Sequence, residues 1–241
     1  MKLIYGLYDR NIECSKWICT VQERPGFAGK ISESGHLFSR SAGFYPFKTQ
    51  NGMGVFLVTE TLGRSKEGWE ECHACAPILG VAEFSHENDA WIVKNLKKDM
   101  GELGAWGGLP EASLVKIGKD RFGILFHDTY TNQGILSGNE VLVGVADEHF
   151  TILASFETEF SNEGFFERGL QDPAAYSYES EMSFVNGKNK DYYDIAILTS
   201  GTRPVTGNPE DESILGFQET RKFVFQNGKY ILADSIVNLL R

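Results

Sequence analysis

Long uncharged runs are missing from this sequence: none reaches the roughly 18 to 20 residues that a membrane-crossing helix needs, which argues against membrane insertion. Basic charge is scarce as well. Against 33 Asp and Glu stand 23 Lys and Arg, a formal charge of -10, so nucleic acid and anionic bilayer surfaces repel the chain rather than attract it. Proline is rare, at 7 of 241 residues. No His-Glu-x-x-His, Gly-x-Ser-x-Gly or Asp-x-Asp-x-Asp-Gly string occurs, so no protease, hydrolase or calcium-loop signature is present. No catalytic residue, metal ligand set or cofactor is therefore expected. What is present is a large apolar content, 41% hydrophobic and 12% aromatic, too much to bury for intrinsic disorder. The length fits one globular domain or two small ones, and a single β-rich domain over residues 1–241 is expected.

Helical periodicity is sparse, while short β-branched and aromatic runs bounded by Gly, Asn and Asp recur, the pattern of an all-β, mostly antiparallel protein with few short helices. The clearest strands are 55–58, 113–117, 122–126, 141–145, 150–156, 193–198 and 222–225. A hairpin theme repeats in which an apolar strand end meets a polar turn and an aromatic residue opens the return strand, at Phe122, Phe150, Tyr193 and Tyr230. In the last, Asn227-Gly228 supplies the positive-φ pair of a tight turn, and Phe223, Phe225, Tyr230 and Ile231 are expected to cover the core. The openers lie 28, 43 and 37 residues apart, near the length of one four-stranded blade, so the architecture is a meander, a sandwich or a small propeller-like arrangement. Trp91, Ile92, Leu96 and Met100 fit either a helical stripe or a strand over 90–93. Residues 235–241 read as a short terminal helix capped by Asp234 or Ser235.

The cysteines form two close pairs, Cys14 with Cys19 and Cys72 with Cys75, which suits disulfides in an oxidising compartment and metal ligands, catalytic thiols or simply buried thiols in a reducing one. The apolar stretch after Met1-Lys2 is shorter than a secretory core, so the chain is either cytoplasmic or begins inside a longer precursor, and the second is preferred. Cys72-His73-Ala74-Cys75 has the spacing of a redox pair, but Pro77 and Gly80 follow where a thioredoxin-type site opens a helix. Trp106, within Gly101-Glu102-Leu103-Gly104-Ala105-Trp106-Gly107-Gly108, is expected to pack over a turn, since no strand-then-helix context for a phosphate loop surrounds it. His127, at a strand end beside Asp128, is the histidine most worth inspecting.

Charge is unevenly spread. Between Asp147 and Glu181 nine carboxylates face Arg168 alone, nine minus one giving a net of -8, and the same stretch carries Phe156, Phe160, Phe165, Phe166, Tyr176 and Tyr178. An acidic segment studded with rings offers apolar anchors and long-range attraction to a cationic partner. The candidate contact residues are Glu157, Glu159, Phe160, Glu163, Phe165, Phe166 and Glu167. Glu157 and Glu159, two apart on a strand, would share a face and are also the pair an acid-base hydrolase would use.

The strings Cys72-His73-Ala74-Cys75-Ala76-Pro77-Ile78-Leu79-Gly80, Trp106-Gly107, Lys116 to Gly123 and Tyr192-Tyr193-Asp194 carry a resemblance. Over roughly residues 72 to 230 the chain resembles an uncharacterised group of exported bacterial β-rich proteins with a Cys-His-x-Cys-x-Pro-x-x-Gly segment. The resemblance implies export to the periplasm or medium and carries no activity; the missing leader departs from that group's pattern. The sequence thus points to a non-catalytic extracytoplasmic binding protein with an acidic, aromatic-rich surface for a basic protein partner, an antitoxin-like inhibitor of a cationic toxin being one such role. The alternatives are an enzyme with a site assembled from separated strands, either a carboxylate hydrolase or a Cys72/Cys75 thiol oxidoreductase, and a structural subunit of a surface assembly.

Overall fold

The structure, a computed structural model, describes residues 1–18, 30, 36–63, 68–69, 72–186, 191–204 and 214–240. Its connectivity follows from tight turns. Four hairpins close through two residues that both take positive φ: Asn88-Asp89, Gln133-Gly134, Asp147-Glu148 and Asn227-Gly228. That geometry twists in the same sense as the strands it joins. Asn227-Gly228 forms the turn its sequence announces. Asp89, at φ 61°, is an exposed L-residue in a conformation that costs about 1–2 kcal/mol outside glycine. Asp89→Gly is therefore expected to raise stability by about 1 kcal/mol, measured as a higher urea midpoint with unchanged slope.

The strands form two antiparallel sheets, and within each sheet adjacent strands are consecutive in sequence. The first sheet runs β1 (Tyr8–Asp9), β2 (Cys14–Trp17), β3 (Leu37–Thr49), β4 (Gly52–Leu62), β5 (Ile78–Glu87), β6 (Ala90–Lys97). The second runs β7 (Glu111–Lys116), β8 (Phe122–Asn132), β9 (Ile135–Ala146), β10 (His149–Ser161), β11 (Ser177–Val185), β12 (Asp194–Pro204), β13 (Ile214–Gln226), β14 (Lys229–Leu240). The fold is thus all-β with few short helices, and its sheets are meanders of six and eight strands. The chain divides into two compact units, Met1–Glu111 with Glu148–Thr151, and Ala112–Asp147 with Ile152–Arg241.

The first unit buries Leu37, Leu57, Leu62, Ile78 and Leu79. The apolar stretch after Met1 opens with a helical turn, Lys2–Tyr5, in which the Met1 carbonyl accepts from Ile4 and Tyr5 N–H. Burial decides it: Ile4 and Tyr5 pack against Leu57 and Ala82, and the Tyr5 hydroxyl is 2.8 Å from Thr59 Oγ1. Trp91, Ile92 and Leu96 lie on the strand β6, with Glu87 opposite Ala90, and Met100 lies beyond it.

The second unit centres on Ile117, Leu142, Leu153, Phe156, Tyr192, Ile195 and Ile197. Phe223, Phe225 and Tyr230 join this cluster as expected; Ile231, one residue on from Tyr230, belongs to the other face of β14. Tyr192 and Tyr230 keep their hydroxyls satisfied by donating to the carbonyls of Val145 (3.0 Å) and Tyr193 (2.9 Å). The helix expected over 235–241 does not form. Asp234 to Leu240 pair in register with Lys222 to Gly216, so β13 supplies a ladder that so short an isolated helix could not match. In the hairpin motif expected to open its return strand at Tyr193, Gly187 lies outside the described residues; Val185 ends β11 and pairs with Asp194.

Candidate functional site

The acidic segment folds around a short ladder in the second unit. β10 pairs with β11 over three residues only, Glu159 opposite Glu179, Phe160 opposite Tyr178 and Ser161 opposite Ser177. The joining loop holds two single 3-10 turns, Glu163–Phe165 and Gly169–Gln171. Asn162 fixes this loop: its Oδ1 accepts from Tyr176 N–H at 2.7 Å, and its Nδ2 donates to the Ala174 carbonyl at 3.2 Å. The β8–β9 turn abuts it, since a Cβ on Gly134 (φ 82°) would lie 2.2 Å from Gly164 carbonyl atoms. Only glycine allows that approach.

A groove of about 320 Å³ opens beside the ladder, with Glu159, Glu163, Glu179, Phe160, Tyr178 and Leu170 among its walls. Directly opposed residues in an antiparallel pair share a face, so Glu159 and Glu179 meet there as like charges, an arrangement that costs about 0.2–1 kcal/mol. Glu181 continues the row by alternation. Among the described residues, no ion pair involves Glu159, Glu163, Glu167, Glu179 or Glu181. Glu159 packs closely over β9, where a Cβ on Gly138 would lie 2.9 Å from the Glu159 Cβ. The aromatic side is ordered too: Phe160 stacks on Tyr176 at 5.0 Å and on Tyr178 at 5.7 Å, each at 18°. The Tyr178 hydroxyl donates to Glu157 Oε1. Burial first, and then the Glu157 carboxylate, push the Tyr178 phenol well above its usual range, so it stays a neutral donor.

The candidate contact residues are thus partly gathered. Glu159, Phe160 and Glu163 line the groove; Phe165, 64% exposed, and Phe166 meet edge to face on the adjoining loop; Glu167 is exposed outside the lining. Glu157 opens elsewhere, on a depression of about 280 Å³ with Tyr178, Arg203, Phe217, Glu219 and Arg221. Its charges cancel, two arginines against two glutamates. The Arg203 guanidinium lies 4.5 Å over Phe217, and Arg221 Nη2 donates to the Glu157 carbonyl at 3.2 Å. Glu157 and Glu159 therefore face different cavities. Leu136, Glu179 and Ser200 reach the groove through strand register, which no local sequence signal reveals.

Cys72 and Cys75 are joined, with Sγ atoms 2.11 Å apart. The Gly107 N–H donates to the Cys75 carbonyl at 2.7 Å, and His73 meets Trp106 edge to face at 5.0 Å, so the cysteine motif and the glycine-rich stretch form one loop cluster leading into strand β5. Trp106 is 63% exposed. Cys14 is buried in β2, and Cys19 lies outside the described residues. Among the described residues, no three His, Cys, Asp or Glu side chains are grouped to hold a metal ion.

His127 is placed by the β8–β9 register opposite Glu140, with Nδ1 2.9 Å from Oε1. Burial raises the Glu140 carboxyl above its ordinary 4.5, the His127 hydrogen bond pulling the other way, and Glu140 Oε2 is buried without a hydrogen-bond partner among the described residues. An acid whose pKa is higher folded than unfolded holds more protons when folded, so its stabilisation is present below 4.5 and lost as pH climbs through the raised value. Glu140→Gln is expected to flatten that acid-side fall in urea-measured stability; an unchanged pH profile would contradict the assignment.

No family model matches the chain, and no curated protein or solved structure matches it.

Proposed function

We propose that this chain is a non-catalytic binding protein whose acidic, aromatic groove receives a basic segment of a protein partner. One observation carries the reading. Glu159 and Glu179 are held face to face, Glu163 lines the same groove, and no cation of the described chain pairs with them, so the fold maintains a repulsion that an incoming Lys or Arg relieves. Phe160, stacked with two tyrosines, and exposed Phe165 and Leu170 add apolar and ring surface against which a basic side chain lays its stem or cationic head. The Cys72–Cys75 disulfide supports an oxidising, extracytoplasmic setting.

The test is calorimetric titration with an arginine- and lysine-rich peptide and with an acidic peptide of equal length. The basic peptide is expected to bind, with affinity falling as salt rises; the acidic one is not. Equal affinity for both, or binding of the basic peptide that ignores salt, would refute the proposal.

A further inference from the structure

The depression that Glu157 shares with Arg203, Glu219 and Arg221 holds charges of both signs that do not meet. Among the described residues, no ion pair includes any of the four. Each is engaged by a neutral neighbour instead. Glu157 Oε1 accepts from the Tyr178 hydroxyl, and Glu219 Oε1 accepts from Ser235 Oγ at 2.7 Å. Arg203 lies over the Phe217 ring, while Arg221 Nη2 donates to the Glu157 carbonyl at 3.2 Å and to Thr199 Oγ1 at 3.5 Å.

These contacts hold the charged groups in place and leave most of the guanidinium donors unused. A guanidinium has five N–H groups in a fixed fork that matches a carboxylate. Among the described residues Arg203 makes no hydrogen bond, and Arg221 Nε is buried without a partner. The arginines are thus set to receive an anionic group, with two carboxylates in the same lining to receive a cationic one.

We infer that this depression binds a small zwitterion of the α-amino acid class, its carboxylate on Arg203 and Arg221 and its ammonium on Glu157 and Glu219. Charge selects the ligand. Two arginines against two glutamates leave the lining neutral, so a bare anion is repelled by the glutamates and a bare cation by the arginines, whereas a zwitterion satisfies both pairs at once. Size agrees, since about 280 Å³ sits at the small end of ligand pockets, which run from about 300 to 1,000 Å³. Strand geometry adds an order. Phe217, Glu219 and Arg221 alternate onto one face of β13 as ring, acid and base, about 7 Å apart, and the Phe217 and Tyr178 rings, edge to face at 6.0 Å, offer apolar surface to the ligand's side chain. Among the described lining residues the depression and the groove share Tyr178 alone, and this inference is independent of the groove's proposed role.

The test follows backbone amide shifts of the labelled full chain as each standard free amino acid is added, alongside its decarboxylated amine and its N-acetyl derivative. At least one amino acid is expected to shift residues 203, 219 and 221 saturably, and removing its carboxylate or masking its ammonium is expected to weaken binding at least tenfold. Arg203→Gln, which gives up only a ring contact, should weaken the amino acid at least tenfold as well. Glu219→Gln should weaken the amino acid and strengthen the N-acetyl derivative, a change of preference that a merely structural role would not produce. No binding at millimolar amino acid, an amine, N-acetyl derivative or inorganic phosphate that binds as tightly, shifts centred on 159–163 and 177–179 instead, or an Arg203→Gln chain that binds as the wild type does would overturn the inference. The comparison of derivatives on the wild type decides even if a variant fails to fold.

Discussion

Reversing Glu159, Glu163 and Glu179 together to lysine is expected to weaken capture of a basic peptide on the order of a hundredfold at low salt, about 3 kcal/mol. Three exposed or half-exposed carboxylates each contribute modestly, but they share one groove, and the change from minus three to plus three turns attraction into repulsion. The loss should shrink as salt screens the groove. Glutamines at the same positions are expected to give a smaller loss and to remove the Glu159–Glu179 repulsion, so thermal stability should hold or rise slightly. That pairing of effects, weaker binding with no loss of stability, separates a binding role from a folding role. A triple variant that binds as the wild type does would contradict the groove assignment.

The largest stability effect is expected from Phe156→Ala. Phe156 is 6% exposed, belongs to the main cluster of the second unit, and its ring lies 4.5 Å from that of Phe223. Truncating a buried phenylalanine removes transfer free energy and leaves a cavity, together about 3–5 kcal/mol, a large part of the roughly 5–15 kcal/mol of a typical domain. Urea unfolding should show the midpoint falling with little change in slope. Phe156→Leu should lose less. A loss under about 1 kcal/mol for the alanine variant would mean that this part of β10 is not packed as described.

Alternation along extended segments made the all-β class legible, and Asn227-Gly228 announced its turn because asparagine and glycine tolerate positive φ. Asp147-Glu148 takes the same geometry without either residue, driven by the strands on both sides rather than by its own preference. The C-terminal strand was not legible because its cause, the ladder offered by β13, lies elsewhere in the chain. At the groove, the density of acid and aromatic residues marked Glu159, Phe160 and Glu163. Glu157 looked equivalent by spacing, but β10 pairs with β11 only from Glu159 onward, and Glu157 turns to Tyr178 and a charge-balanced depression. Glu179 became its counterpart through register alone.

The most direct measurement is the map of backbone amide shifts in the labelled protein as an arginine- and lysine-rich peptide is added. Changes concentrated at 159–163 and 177–179, with residues 203, 219 and 221 little affected, are the predicted result. Changes centred on the arginine-bearing depression, or spread without focus over the surface, would contradict it.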